Sequence, residues 1–188
     1  MTLSIVRSPT AAGWIGDVSE VLTAAARYER DPGERAAAVA TALHGQLPSP
    51  EILSPEQREG APDHYQQHIL YVDPAGDFSV MVLVWRPGQS TPIHDHVCWC
   101  TVGVLAGVEH EIRYTLGSAY SPSVLVEQGQ LSSAAGDISA FAPPGDIHQV
   151  SNSGGDVAIS LHIYGADISA AGSSIRRVYP QPLLRVPA

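Results

Sequence analysis

Short apolar and β-branched runs, separated by glycine, proline, aspartate and serine, fill this 188-residue chain from about residue 64 onward. Runs of this kind predict β-strands. We expect eight of them, at 66–73, 77–86, 92–105, 108–116, 123–127, 137–142, 147–152 and 156–164. Because no helical pattern separates them, they indicate a jelly-roll barrel. The run 80–84 is apolar at every position, which is typical of a strand buried on both faces.

The first third of the chain has a different pattern. Residues 17–44 are rich in alanine, and Asp31 followed by Pro32 matches the start of a helix, so we expect two short helices there. Four prolines in 46–62 predict a loop that returns to the barrel. We therefore expect one structural domain, in which a helical segment, 1–63, packs on a barrel formed by 64–188.

Composition and charge exclude several classes of protein. The formal net charge is −9 and no cluster of basic residues occurs, so we expect no nucleic acid and no anionic membrane as a partner. The longest apolar run, 80–85, is too short to span a bilayer. The two cysteines, Cys98 and Cys100, are badly placed to bridge each other, which favours a reducing compartment. We expect a cytoplasmic monomer.

Three histidines predict a metal site. His94 and His96 are two residues apart, so on an extended strand they point to the same face, and His148 follows a Pro-Pro-Gly turn about fifty residues later. Three imidazoles from two strands can converge on one ion. Asp95 would lie on the opposite face. Because the three ligands are neutral, they leave the charge of the ion uncompensated and its other positions open, which favours an anionic substrate such as a thiolate.

Two longer segments carry a family resemblance. Residues 88–107 resemble the first cupin motif, with Cys100 where most cupins place a glutamate ligand, and 143–152 resemble the second. Together with Ser-Leu-His-Ile-Tyr at 160–164, they resemble the thiol dioxygenases, the cysteine dioxygenase family of cupins. The resemblance covers roughly 65–167. It implies a cupin-type jelly-roll barrel, mainly β, with a short helical N-terminal segment.

The resemblance also implies an activity and a cofactor. The family uses non-haem Fe(II) to convert a small thiol and O2 into a sulfinic acid. Carried over by position, the iron ligands are His94, His96 and His148. The alternate residues of 160–164 match the outer relay of the family, in which Tyr164 offers its hydroxyl, His162 orients Tyr164 and Ser160 anchors His162. Period-2 geometry places these three side chains on one strand face.

Two interpretations of Cys100 are open. In mammalian-like members of the family, a cysteine at this position forms a thioether with the tyrosine that corresponds to Tyr164. If the strand 92–105 stays regular, Cys100 shares a face with His94 and His96, which makes the link geometrically reasonable. Cys100 as a small buried apolar residue is an equal alternative.

Substrate choice depends on the segment before the barrel. Cysteine-specific members resemble Tyr-x-Arg there, whereas this chain has Tyr65 and Gln67. Glutamine at this position resembles the bacterial subclass that prefers 3-mercaptopropionate. An amide grips a carboxylate less firmly than a guanidinium does, so the carboxylate would need the iron or a second cation. We expect Arg176 or Arg177 to supply it.

Cys100 is typical of cysteine-specific members and Gln67 of the mercaptopropionate subclass, so both 3-mercaptopropionate and L-cysteine stay open as substrates. Two functions from other classes also remain. One is a non-thiol cupin enzyme that uses another metal; the other is a non-catalytic metal-binding cupin. The carboxylate-free ligand set and the residues at 160–164 favour thiol oxidation over both.

Overall fold

A computed structural model describes residues 3–5, 9–28, 31–117, 124–180 and 183–184. Among these described residues, helices occur in the N-terminal third and in one short turn near the end. They are α1 (Pro9–Tyr28), α2 (Pro32–Leu43), a 3-10 turn (Pro50–Ile52), α3 (Pro55–Glu59) and α4 (Ile168–Ala171). None of these helices is long and apolar enough to cross a bilayer.

Twelve described strands form two six-stranded sheets. In chain order they are β1 (Leu3–Ile5), β2 (Gln66–Val72), β3 (Ser79–Trp85), β4 (His94–His96), β5 (Cys100–Ala106), β6 (Val108–Leu116), β7 (Leu125–Ala134), β8 (Ile138–Phe141), β9 (His148–Ser151), β10 (Ala158–Tyr164), β11 (Ile175–Val178) and β12 (Leu183–Leu184). The first sheet has the order β1-β2-β3-β10-β5-β8, and the second has the order β11-β4-β9-β6-β7-β12. The predicted mainly β fold, with a helical N-terminal segment, is confirmed.

The central strands β3 and β10 of the first sheet are buried on both faces, as the apolar run 80–84 predicted for β3. On β3, Val80, Val82 and Val84 pack against the helices in one apolar cluster, whereas Met81, Leu83 and Trp85 belong to a second cluster inside the barrel. On β10 the odd-numbered residues from 159 to 163 face the helices. The even-numbered residues of β10 therefore point into the barrel, where chemistry can occur.

The helical segment is fixed to the outer face of this sheet. Asp31 caps α2 by accepting hydrogen bonds from the backbone N–H groups of Gly33 and Glu34, as the sequence predicted. The hydroxyl of buried Thr101 on β5 donates to the carbonyl of Ala36 on α2 at 2.8 Å. These contacts make the helices part of the wall that supports the barrel.

Several predicted boundaries differ from the structure. The first of the two short helices expected at 17–44 begins earlier, at Pro9, and is 20 residues long. The strand expected at 92–105 is two strands, β4 and β5, because the chain crosses at 97–99 from one sheet to the other. Apolar residues continue through this corner, so hydrophobic periodicity does not reveal it. The loop expected at 46–62 contains the 3-10 turn and α3, which begins with a capping box at Ser54. The strand expected at 123–127 extends to Ala134, and residue 123 lies outside the described residues.

Candidate metal centre

The second sheet brings the three predicted histidines together. His94 and His96 lie on β4, and His94 pairs in register with His148 on the neighbouring strand β9. One ring nitrogen from each histidine lies within 4.8 Å of the others, and Nε2 of His94 is 3.2 Å from Nε2 of His96. All three residues are buried. The arrangement offers three nitrogen donors to one point in the barrel interior.

Each ring directs its other nitrogen, Nδ1, at an oxygen acceptor. The three contacts are His94 to the Pro92 carbonyl at 2.9 Å, His96 to the Asp146 carboxylate at 3.0 Å and His148 to the Glu111 carboxylate at 2.7 Å. A neutral imidazole that donates from Nδ1 has its lone pair on Nε2. These outer partners therefore fix the tautomer in which all three Nε2 atoms can bind a metal.

Burial keeps His94 and His96 neutral, whereas the carboxylates of Glu111 and Asp146 stay ionised. Burial lowers the pKa of His94 to about 3 and also lowers that of His96. Burial alone would raise the pKa of Glu111, but hydrogen bonds from His148 and Arg113 outweigh it and lower that pKa to about 2. Burial likewise opposes the lowered pKa of Asp146, which results from hydrogen bonds with the side chain and backbone N–H of His96.

This donor set fits a divalent transition metal. Imidazole nitrogen suits iron, zinc, copper and nickel, whereas calcium and magnesium prefer oxygen. The carboxylates of Asp146 and Glu111 contact the rings and not the ion position. They therefore add negative charge near the site and leave the remaining positions around an ion for other ligands. Such a site can bind substrate directly.

Three even-numbered residues of β10 form a hydrogen-bonded chain beside the histidines. The Ser160 hydroxyl lies 2.9 Å from Nε2 of His162, and the Tyr164 hydroxyl lies 3.2 Å from Nδ1 of the same ring. Burial lowers the pKa of His162 to about 3 and raises that of Tyr164 well above its usual value, so both groups are neutral at pH 7. The Tyr164 ring lies 6.4 Å from the His96 ring, centroid to centroid.

Cys100 adjoins the hydrogen-bonded residues of β10, but it lies on a different sheet than the sequence predicted. It begins β5, in the first sheet, and so does not share a strand face with His94 and His96. It pairs in register with Tyr164 on β10, and its Sγ lies 3.9 Å from Nδ1 of His162. Its side chain is fully buried, which raises the pKa of the thiol well above its usual value.

A cavity contains the histidine site. Gln67 and Tyr65 line it, as the substrate prediction required, and the Tyr65 ring stacks on Trp85 with centroids 4.3 Å apart. Among the described residues, no arginine or lysine lines this cavity. Its acidic lining residues are Glu109, Glu111 and Asp137.

The structure does not bring Arg176 or Arg177 to the cavity, so the expected contact of either guanidinium with a substrate carboxylate is not seen. Arg176 donates to the carboxylate of Asp95 at 2.5 Å, and Arg177 lies over the Tyr179 ring at 5.7 Å from its centroid. Asp95 is buried on the opposite face of β4, where it also accepts a hydrogen bond from the Tyr179 hydroxyl. A buried carboxylate needs a partner, and Arg176 supplies it.

Sequence reasoning missed three acidic residues, Glu109, Glu111 and Asp146. A signal for the first two was available: they are two residues apart on a predicted strand, and so share a face in the same way as His94 and His96. Asp146 lies two residues before His148, inside the second motif. The spacing could have identified them as inward-facing, but not the histidine that each one contacts.

This chain is similar to solved structures, and it matches the model of one protein family. A double-stranded β-helix protein from Klebsiella pneumoniae is 23% identical, with 59% of this chain and 84% of that chain covered at a TM-score of 0.42. A Cupin 2 conserved barrel domain protein from Salinispora arenicola is 19% identical, and the match covers 57% of this chain and 81% of that chain at a TM-score of 0.41. The model of the family described as cysteine dioxygenase type I matches residues 60–172, more than half of the chain. The chain therefore belongs to the cysteine dioxygenase type I family.

Proposed function

We propose that this protein is a non-haem iron thiol dioxygenase, which adds both atoms of O2 to the sulfur of a small thiol. The thiol R–SH and O2 then give the sulfinic acid R–SO2H, with no other reductant. The observation that carries the proposal is the convergence of three buried Nε2 atoms, from His94, His96 and His148, with no carboxylate among the donors. Membership of the family supports the same reaction class.

The residues around the centre have separate tasks. Fe(II), held by the three histidines, would supply a redox-active centre with open positions for thiol and dioxygen. Tyr164 keeps its proton because of burial and can donate a hydrogen bond toward the cavity. Tyr65, Trp85 and Phe141 line the cavity with aromatic rings, which exclude bulk water from the reacting sulfur.

The proposed substrate is a small thiol carboxylate, either 3-mercaptopropionate or L-cysteine. Gln67 and Tyr65 line the cavity and can give the carboxylate neutral hydrogen bonds. A substrate of this size suits the enclosed position of the histidines. We place the reaction in the cytoplasm, where Cys98 and Cys100 would stay reduced.

The thioether between Cys100 and Tyr164 remains a prediction. Their register across β5 and β10 supports it. A bond between Sγ and a ring carbon would remove two hydrogens, with dioxygen as the oxidant. Peptide mapping of protein exposed to iron and oxygen should then give one linked species, and separate unmodified Cys100 and Tyr164 peptides alone would reject the link.

The experiment for the proposed function is thiol-dependent oxygen uptake. Protein loaded anaerobically with Fe(II) is given 3-mercaptopropionate, L-cysteine or cysteamine, while oxygen and product are followed together. We expect stoichiometric oxygen uptake with at least one thiol carboxylate, and the sulfinic acid as product. Disulfide as the only product, or no uptake with any of these thiols, would contradict the proposal.

A further inference from the structure

The strand β11 and the residues before it form one side of the cavity. β11 lies at the edge of the second sheet, next to β4, the strand that carries His94 and His96. Ile175 on β11 is in register with His96. Residues 173–175, which we call the cavity wall, line the same cavity as the three histidines. The proposed function assigns no role to this wall.

Backbone hydrogen bonds join the wall and β11 to both ends of β4. Just after β4, the Val97 N–H donates to the carbonyl of Ser174 at 2.9 Å. Just before β4, the Ile93 carbonyl accepts from the N–H of Tyr179, also at 2.9 Å. The wall therefore keeps its place only while β11 stays paired with the strand that holds two metal ligands.

Arg176 is the extra residue at a shift in this pairing. Ile175 is in register with His96 and Arg177 with Asp95, so Arg176 has no partner position on β4. A bulge of this kind re-aims a side chain, and bulges are common beside active sites. Here the guanidinium of Arg176 reaches the carboxylate of Asp95 at 2.5 Å, and the two strands are joined by an ion pair.

Asp95 needs this ion pair because its carboxylate is buried. Its side chain is 1% exposed, whereas that of Arg176 is 48% exposed. Oδ2 of Asp95 accepts from Arg176 and from the Tyr179 hydroxyl at 2.8 Å, and Oδ1 has no hydrogen-bond partner among the described residues. A buried carboxylate that loses its cation destabilises the structure around it. Loss of Arg176 should therefore loosen β11 from β4.

The wall lies between this ion pair and a second anchor. Upstream, the hydroxyl of buried Ser79 on β3 donates to the Ala166 carbonyl at 2.8 Å, and Asp167 caps α4 by accepting from the Ala170 N–H. Downstream, the wall is followed directly by Arg176. Without the downstream anchor, residues 173–175 would be free to move relative to the histidines.

The metal ligands themselves have other supports. His94 pairs with His148 on β9, at the other edge of β4, and the His96 N–H donates to the Asp146 carboxylate at 2.9 Å. Neither contact involves β11. Loosening of β11 should therefore displace the wall and spare the three nitrogen donors.

We propose that Arg176 is a positioning residue for the substrate: by pairing with Asp95 behind the ligand strand, it fixes residues 173–175 as a wall of the thiol site. The proposal rests on the proposed function, because the wall acts on the thiol that binds at the histidines. This role differs from direct contact between the guanidinium and a substrate carboxylate. An arginine that acts through the wall affects thiols with and without a carboxylate alike.

The direct test is amide hydrogen exchange in iron-free protein, which does not depend on activity. In Arg176→Ala, the Val97 amide, which is bonded to the wall, should exchange at least about tenfold faster through local opening of β11. The Thr91 amide, bonded to the Val150 carbonyl on β9, should change by less than about twofold. An unchanged Val97 amide, or equal acceleration of both amides as in a general loss of stability, would overturn the proposal.

Two further variants separate the ion pair from the charge of β11. Arg176→Lys keeps a cation and should return Val97 exchange to within about threefold of the unaltered protein. Arg177→Ala removes the neighbouring cation, which lies over the Tyr179 ring, and should change the exchange by less than about twofold. Equal acceleration in Arg177→Ala and Arg176→Ala would overturn the proposal, because the pairing with Asp95 would then have no special effect.

The second test compares thiols on iron-loaded protein. Arg176→Ala should keep its iron and raise KM by a common factor of about tenfold for 3-mercaptopropionate, L-cysteine and cysteamine, with kcat changed by less than about twofold. For a thiol that binds without being oxidised, the inhibition constant replaces KM. A rise in KM for the two thiol carboxylates alone would indicate direct contact with the carboxylate and would overturn the proposal.

The matched control for these kinetics is Arg58→Ala. It removes another arginine–carboxylate pair, with Glu51 at 3.0 Å, in the helical segment outside the cavity. KM should then change by less than about twofold. A rise in KM equal to that of Arg176→Ala would overturn the proposal, since any lost ion pair would have the same effect.

The two proposals fail in distinguishable ways. Thiol oxidation by the unaltered protein, with no local change in Val97 exchange in Arg176→Ala, would overturn the role of Arg176 and leave the dioxygenase function intact. Faster Val97 exchange in a protein that oxidises no thiol would support the link between Arg176 and the wall and contradict the proposed function.

Discussion

Four buried histidines line one cavity, but the two sheets support them in opposite ways. On the second sheet, His96 and His148 each donate Nδ1–H to an ionised carboxylate, and His94 donates to a carbonyl. On the first sheet, His162 lies between two hydroxyl groups that can each donate or accept. Fixed acceptors hold one tautomer, as a metal ligand needs, whereas hydroxyl neighbours permit both, as a proton relay needs.

Removal of a metal ligand on the second sheet should have the largest effect on iron content and activity. His148→Ala should lose stoichiometric iron and all measurable thiol oxidation, because two neutral nitrogens hold Fe(II) poorly. Metal analysis after anaerobic loading and gel filtration, together with oxygen uptake, would measure both. His64→Ala, at an exposed position, is the control. Full iron content in His148→Ala would remove His148 from the centre.

Removing the hydroxyl at the end of the relay should spare the metal. Tyr164→Phe should keep iron and slow turnover by about 10²-fold, the lower range for loss of an acid–base group. Tyr179→Phe, which removes a hydroxyl bonded to Asp95 outside the cavity, should leave turnover unchanged. Equal turnover rates for Tyr164→Phe and the unaltered protein would mean that the first sheet does not supply a proton relay.

Weakening an outer carboxylate should affect the metal site selectively. Asp146→Asn should weaken iron binding by about 10-fold, because an amide no longer fixes the His96 tautomer. Competition with a metal-binding dye would measure the dissociation constant. Asp156→Asn, at an exposed turn, is the control. Unchanged affinity in Asp146→Asn would mean that the carboxylate does not orient its histidine.

The ionised carboxylates also predict how stability depends on pH. The pKa of Glu111 is lowered to about 2 in the folded protein, whereas an unfolded chain shows about 4.3. The carboxylate therefore stabilises the fold above pH about 4.3, and this contribution disappears as the pH falls toward 2. Chemical unfolding of metal-free protein should show that Glu111→Gln lacks this part of the decline. An identical decline in both proteins would contradict the assigned contacts.

The smallest effect concerns substrate choice. Gln67→Arg should place a cation in a cavity whose described lining has none, and should lower KM for thiol carboxylates by about 10-fold relative to cysteamine. Gln66→Arg is the matched control, because Gln66 does not line the cavity. Steady-state kinetics with the three thiols would compare the two variants. The same change in both would mean that position 67 does not contact the carboxylate.

Local spacing explains which parts of this structure the sequence could predict. His94 and His96 share a strand face by period alone, and so do Ser160, His162 and Tyr164. The contact of His148 with Glu111 joins residues that are far apart in the sequence, and no local pattern contains it. The expected contact of Arg176 with a substrate carboxylate is not seen for a similar reason. Only the fold shows that Asp95 is buried and that Arg176 donates a hydrogen bond to it.

The change of sheet at 97–99 is another feature that the local sequence pattern does not reveal. A continuous apolar pattern predicted one strand and placed Cys100 beside His94, whereas the chain changes sheets there. Cys100 nevertheless lies opposite Tyr164, through the pairing of β5 with β10. The predicted neighbourhood was right for Cys100 and Tyr164, but the predicted path of the chain was wrong.

Oxygen labelling tests the central claim most directly. Iron-loaded protein would convert its preferred thiol under 18O2 in ordinary water, with the product identified by mass spectrometry. We predict a sulfinic acid that carries two labelled oxygen atoms. A product that carries oxygen from water, or a disulfide without oxygen, would contradict a dioxygenase built on these three histidines.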